Sequence, residues 1–250
     1  MFAPLAFVTM AMALVSATEP SRLQKRQNAQ VVTNCVKPNT VALTFDDGPW
    51  IYLQDISNTL KAANATGTFF FNGNNWGCIY DQDMSARVQY AYKNGHQIAS
   101  HTWSHADLTT LSWDNIHNEM WLVEQALTRI AGVTPAFMRP PYGNYNDLVL
   151  QASYIRKQVV TIWDFDDGDS TGASAAQSES DYDALVRSHP GTVLSLNHET
   201  QETTAHQVLP YAIQKLKAAG YQLVSLADCT GLPAYQFVGS PQTRTSDWHC

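Results

Sequence analysis

Apolar residues run through this chain in two alternating rhythms. Short continuous apolar stretches recur: "VALTF" from Val41, "TGTFFFN" from Thr66, "HQIASH" from His96, "AFMRPPYG" from Ala136, "QVVTIWDFD" from Gln158, "GTVLSLNHE" from Gly191 and "YQLVSLADC" from Tyr221. Between them lie segments whose apolar residues return every three or four positions, which predicts amphipathic helices. These are "IYLQDISNTLKAANA", "DMSARVQYAYKNG", "SWDNIHNEMWLVEQALTRIAG", "YNDLVLQASYIRK", "DYDALVRSH" and "TAHQVLPYAIQKLKAAG". Asp83 and Ser112 sit where N-caps belong, and Gly95 and Gly132 where helices stop. "GASAAQSES", from Gly172, reads as a small-residue loop. Continuous apolar strands alternating with helices predict parallel strands joined by right-handed crossovers, with both sheet faces covered. The expected fold is α/β: a single-domain distorted (β/α) barrel of about seven parallel strands. An open doubly wound sheet is the rival.

Composition changes this picture at the ends of the chain. Its 250 residues suit one substantial core. A net charge of −7 without basic runs argues against nucleic acid as a partner. Residues 1–17 end in "LAFVTMAMALVSA", an apolar run of signal-peptide length closing on small residues and too short to span a membrane comfortably. Residues 18–26 are polar and end in the dibasic pair Lys25-Arg26, expected to be the end of a propeptide. The catalytic domain is then expected over residues 27–250, in a secreted protein without a membrane partner. Four cysteines, none in a C-x-x-C pattern, suit two disulfides in an oxidising compartment. Three connectivities are open; Cys35 with Cys229 would tie the ends of the fold together and leave Cys78 with Cys250. Asn64-Ala65-Thr66 is an N-glycosylation sequon after a helical stretch.

The polar residues fall where strands end. The first strand closes on Asp46-Asp47, the third on His101, the fourth on Arg139, the fifth on Asp164 and Asp166, and the sixth on His198. An α/β barrel builds its active site at that rim, from the C-terminal ends of different strands. His101 and His105 are four apart, so one helical turn would put both imidazoles on one face. Two imidazoles and one carboxylate of the Asp46-Asp47 pair make a three-ligand metal site with an open position. Non-haem iron also takes such a set; the hydrolytic character of the other residues favours zinc. The second carboxylate is then free to accept a proton. Arg139 would hold that base ionised, and His198 would be an acid if a carboxylate keeps it protonated. Asp166 is preferred over Asp164 for that role. His96, His117, His189, His206 and His249 read as bystanders.

With these residues in hand, the chain resembles the polysaccharide deacetylases of carbohydrate esterase family four, over roughly Val41 to Ala227. "TFDDGP" matches the family's first motif and implies Asp46 as base and Asp47 as metal ligand. "SHTWSH" implies His101 and His105 as ligands. "RPPYG" implies that Arg139 positions the base and that the Tyr142 backbone N–H holds the oxyanion. "LSLNH" implies His198 as acid and Leu196 as a wall of the acetyl pocket. The fourth motif departs: "WDFDDGDS" has Asp166 and Asp169, but Ser170 stands where the family commonly has tryptophan. Asp166 aligns as the partner of His198, and Trp163 could line the acetyl pocket.

The resemblance implies zinc-dependent hydrolysis, with cobalt as the alternative metal, of N-acetyl groups on the β-1,4-linked N-acetylglucosamine of chitin, giving chitosan and acetate. Trp50, Trp76, Trp103 and Tyr145 are candidates for stacking on sugar rings, Trp76 and Tyr145 above all. A monomer is expected. The rival readings are an acetylxylan esterase or peptidoglycan deacetylase of the same family, a glycosidase using two carboxylates, and a secreted chitin-binding protein without catalysis.

Overall fold

The computed structural model describes residues 27–250; the signal and propeptide readings on residues 1–26 lie outside the described residues. The strands are β1 (Val31–Val32), β2 (Thr40–Ala42), β3 (Thr44–Gly48), β4 (Thr68–Phe71), β5 (Gln97–Ser100), β6 (Val133–Pro135), β7 (Phe137–Met138), β8 (Val159–Thr161), β9 (Phe165–Asp166), β10 (Thr192–His198), β11 (Gln222–Val224) and β12 (Tyr235–Val238). The α-helices are α1 (Leu53–Ala62), α2 (Gln82–Lys93), α3 (Trp113–Ala131), α4 (Asp147–Ile155), α5 (Ala175–Ser188), α6 (Leu209–Ala218) and α7 (Leu226–Thr230).

Each of the seven apolar runs supplies strand to a mostly parallel α/β sheet. The pairings run β8–β7–β5–β4–β3–β10. The chain then kinks after β8, and its continuation β9 pairs in parallel with Ser195 and Leu196 of β10. That kink closes the ring, which makes the sheet a distorted barrel. Asp164 sits at the seam, where its carboxylate accepts the Leu194 backbone N–H at 2.7 Å. On the other side, β11 lies against β2, and the antiparallel pair β6–β12 stands apart.

The strands partition their side chains with period two. Val41, Phe69, Phe71, Ile98 and Val193 face outward into the core shared with the helices. Ala42, Phe70, Ala99, Phe137 and Leu194 form a separate cluster inside the barrel. Adding two or four residues to each inward position gives Asp46, Asn72, His101, Arg139 and His198. The same alternation that packs the barrel interior therefore aims the polar residues into its mouth.

Helix chemistry explains most boundaries. Ser112 caps α3 by accepting the Asn115 N–H, and Gly132 ends it in the left-handed conformation. Helix α2 begins two residues before expectation: Asp81 is its N-cap, and Asp83 instead pairs with Arg87 at 2.9 Å. The expected loop "GASAAQSES" is largely the first half of α5, with Ser174 accepting the Gln177 N–H. Only Ser178 and Tyr182 of that helix are buried, so its first half carries almost no apolar period, while its second half is the expected helix "DYDALVRSH". Cys35–Cys229 and Cys78–Cys250 are the two disulfides. No helix among the described residues is long and apolar enough to cross a membrane.

Candidate active site

The mouth of the barrel holds a cavity of about 440 Å³ lined by Asp46, Asp47, His101, His105, Tyr142, Trp163, Asp166, Ser170, Thr171, Leu196 and His198, among others. Residues from five separate sequence regions thus converge on one volume.

Asp46 and Asp47 are adjacent, yet both carboxyls reach this cavity. Asp46 follows the strand alternation inward, whereas Asp47 leaves it at a φ of 70°. Asp46 is buried and bonded to Arg139, whose Nη1 donates to its Oδ1 at 2.8 Å. Burial alone would raise the Asp46 carboxyl; the Arg139 guanidinium, with His101 and His198, holds it below the usual range. Arg139 is itself fully buried. It donates to Thr44 Oγ1 at 2.7 Å and to the Ile162 carbonyl at 3.2 Å, and lies 4.3 Å above the Phe70 ring. A side chain held at so many points cannot swing away from the carboxylate it orients.

Asp47, His101 and His105 each offer one donor atom, and these atoms lie within 4.8 Å of one another. Asp47 Oδ1 is 3.7 Å from His101 Nε2 and 3.4 Å from His105 Nε2. The two imidazoles do not share a helix face as expected. They meet through a loop in which Thr102 and His105 take φ values of 68° and 58°. Together with Asp47 and Tyr142, these are four of the eight non-glycine residues with positive φ among the described residues, a strain concentrated at the site. His101 Nδ1 donates to the Arg139 carbonyl at 2.8 Å, which leaves the Nε2 lone pair facing Asp47. Burial lowers the pKa of both histidines, against the pull of the neighbouring carboxylates. Burial pushes the Asp47 carboxyl up, with His101 and His198 acting the other way. Two neutral imidazoles and a half-buried carboxylate fit a divalent cation, whose charge would favour the ionised ligand.

Across the cavity stands His198, and here the structure corrects one assignment. Its partner is Asp169, not Asp166: His198 Nδ1 lies 2.7 Å from Asp169 Oδ1, and the His198 backbone N–H donates to Asp169 Oδ2 at 2.7 Å. Thr204 Oγ1 donates to the same oxygen at 2.7 Å. Asp166 is exposed, accepts the Gly168 N–H at 2.8 Å and lines the cavity wall. Asp164, the alternative, closes the barrel seam. The strand β9 ends at Asp166 and the chain turns through Gly168, so the residue three places on swings back toward His198. Burial would lower the His198 pKa, but the Asp169 contact, with Asp46 and Asp47, carries it to about 9. Burial and the nearness of Asp169 push the buried Asp167 carboxyl up to about 8.

The remaining expectations divide. Tyr142, Trp163 and Leu196 line the cavity. Trp76 is half exposed and Tyr145 39% exposed; both lie outside the residues lining it. Trp76 pairs with Trp50, ring centroids 5.3 Å apart, so an aromatic ledge flanks the site beside Asp47. Trp103 packs over Gly73, where a Cβ would meet its ring at 1.8 Å. Among the bystander histidines, His96 is buried against Ser57 and lowered to about 4, chiefly by burial, and His206 pairs with Asp55. Asn64 is exposed in the turn after α1.

A barrel rim bearing a His-His-Asp cluster between an arginine-held carboxylate and a carboxylate-held histidine defines a metal-site hydrolase. The family model for polysaccharide deacetylase matches residues 33–160, and the chain belongs to that family. It is 37% identical over 228 residues to a chitin deacetylase of a Pestalotiopsis species, covering 87% of this chain and 74% of that protein. A chitin deacetylase of Colletotrichum lindemuthianum is 33% identical over 88% of this chain and 91% of its own. The solved structure of that enzyme superposes with a TM-score of 0.79 at 25% identity, covering 88% of this chain and 99% of the other. A peptidoglycan-N-acetylglucosamine deacetylase of Bacillus cereus is 33% identical over 74% of this chain and 66% of its own length.

Proposed function

We propose that the protein is a secreted, zinc-dependent chitin deacetylase that hydrolyses N-acetyl groups on β-1,4-linked N-acetylglucosamine. The observation that carries this reading is the opposition within one cavity of two differently tuned groups. Asp46 is held low by Arg139 and His198 is held high by Asp169, with the Asp47, His101 and His105 donors between them.

Asp47, His101 and His105 would hold the cation, which supplies Lewis acidity: it polarises a carbonyl and brings the pKa of water toward neutrality. Asp46, kept ionised and oriented by Arg139, accepts the proton of the attacking water. As the water oxygen bonds to the amide carbon, the carbonyl oxygen gains charge, and the Tyr142 backbone N–H would donate to it. His198 gives its Nε2 proton to the amide nitrogen as the carbon–nitrogen bond breaks. Acetate and a sugar amine leave. Asp169 acts through His198, fixing its ring and favouring the imidazolium. Leu196 and Trp163 present apolar surface to the acetyl methyl.

The two disulfides support an oxidising destination, and the exposed Asn64 is suited to carry a glycan. Zinc is favoured over cobalt by the imidazole-carboxylate set and its hydrolytic neighbours. The reading is tested by acetate release from chitin oligomers, acetylxylan and peptidoglycan assayed side by side. The expected result is acetate and free amine from chitin oligomers without new reducing ends. Release from acetylxylan alone would overturn the substrate, and new reducing ends would overturn the reaction.

A further inference from the structure

Glu199 directly follows the acid His198, and the hydrolysis above does not use it. It is fully buried. Among the described residues it has no ion-pair partner, and its Oε2 has no hydrogen bond. Its contacts all lead to one place. The Glu199 backbone N–H donates to the Asp46 carbonyl at 3.1 Å. Its Oε1 accepts the Trp50 backbone N–H at 2.5 Å. Its carboxyl lies so close on Gly48 that a Cβ there would stand 2.2 Å from Cδ. Glu199 therefore grips the segment 46–50 before and after Asp47, the residue that leaves strand geometry at a φ of 70°.

We propose that Glu199 is a positioning residue, a clamp that ties the segment bearing Asp46 and Asp47 to the strand bearing His198 and so holds Asp47 where it can share a cation with His101 and His105. The inference rests on the reading of those three residues as a cation site. Arg139 fixes Asp46 independently, through its side chain. Asp47 takes the Asn75 amide at 3.3 Å on its ligating oxygen, and the Gly48 carbonyl after it accepts the Asn72 N–H at 2.8 Å from the β4 side; Glu199 holds the same segment from the β10 side. Burial pushes the Glu199 carboxyl well above its ordinary range. Gly48 has its own explanation here: the clamp occupies the space a side chain would need.

The test is calorimetric titration of chelator-stripped protein with zinc, paired with kcat and KM on chitin oligomers and with Tm. Wild type, Glu199→Ala, Glu199→Gln and Gly48→Ala are compared. Glu199→Ala is expected to weaken zinc binding about 10- to 100-fold, the range for residues that support metal ligands, and to lower kcat with KM little changed. Glu199→Gln keeps an acceptor for the Trp50 N–H and should stay within about threefold of wild type on the same scale. Gly48→Ala displaces the carboxyl and should weaken zinc binding as Glu199→Ala does, which keeps the test open if the latter fails to fold. Wild-type zinc affinity and kcat in folded Glu199→Ala, with only Tm lowered, would overturn the proposal. So would a Glu199→Gln protein as impaired as the alanine variant. Failure of wild type to bind zinc would instead overturn the reading of the cation site itself.

Discussion

At the scale of single residues, the site depends on neighbours that push two groups in opposite directions. Asp169→Asn removes the charge that favours the His198 imidazolium. Acid catalysis of this kind contributes roughly 10²–10⁴-fold, so kcat should fall within that range and KM little. The pH dependence has a definite sign. His198 is carried up to about 9, so the acid is present at neutral pH and lost as pH rises through that value. A cation at Asp47 offsets part of the carboxylate field, placing the alkaline limb of the loaded enzyme at or below about 9. Asp169→Asn should move that limb to lower pH, whereas Asp166→Asn should leave it in place; pH–rate profiles of both variants decide. The same shift stabilises the cation-free fold fully below the ordinary histidine value and less as pH rises through about 9, which Tm in chelator across that window would follow. Arg139→Met leaves the buried Asp46 carboxylate without its partner. The expected cost is about 3–5 kcal/mol, read from urea unfolding.

At the scale of elements, the barrel is closed by a kink, and one side chain holds the seam. Asp164→Ala removes the acceptor of the Leu194 N–H, and an amide left unpaired there costs about 1–3 kcal/mol. Asp164→Asn keeps an acceptor oxygen and should unfold near the wild-type urea concentration. Much of this architecture was legible in the sequence. Each of the seven apolar runs supplies strand, because strands covered on both faces must be continuously apolar, and their polar ends mark the rim. The site residues were legible for the same reason: Asp46, His101, Arg139 and His198 keep the inward phase of their strands. What escaped lies where that phase is lost. The first half of α5 buries only Ser178, so no apolar period announces it, although the second half is legible as a helix in "DYDALVRSH". Asp169 comes after a glycine turn, where strand phase no longer says which carboxylate faces His198, and Asp166 is preferred over Asp164 from the sequence. The approach of His101 and His105 needs left-handed backbone at Thr102 and His105, which a four-residue spacing alone mistakes for a helical turn. The serine that opens α5 was a usable signal, since Ser174 stands three residues before Gln177 as in a capped helix start.

At the scale of the whole molecule, the two disulfides serve different ends of the barrel. Cys35–Cys229 spans 194 residues and packs with Ala42, Phe137 and Leu194 inside the barrel, below the rim. Replacing both cysteines by serine should cost about 2–5 kcal/mol and leave the kcat of the folded protein unchanged. Cys78–Cys250 instead anchors the segment 72–78, which carries Trp76 and the Asn75 amide that touches Asp47. Its removal should raise KM for long oligomers more than it lowers Tm, measured on the same variant. Asp47, at the end of β3, and His101 and His105, in the loop after β5, can act only if they share one ion. The most direct test is acetate release from a chitin oligomer by chelator-stripped protein as zinc is added back. The account predicts no release from stripped protein and full recovery near one zinc per chain. Undiminished release after stripping, or recovery in an Asp47→Ala protein equal to wild type, would contradict it.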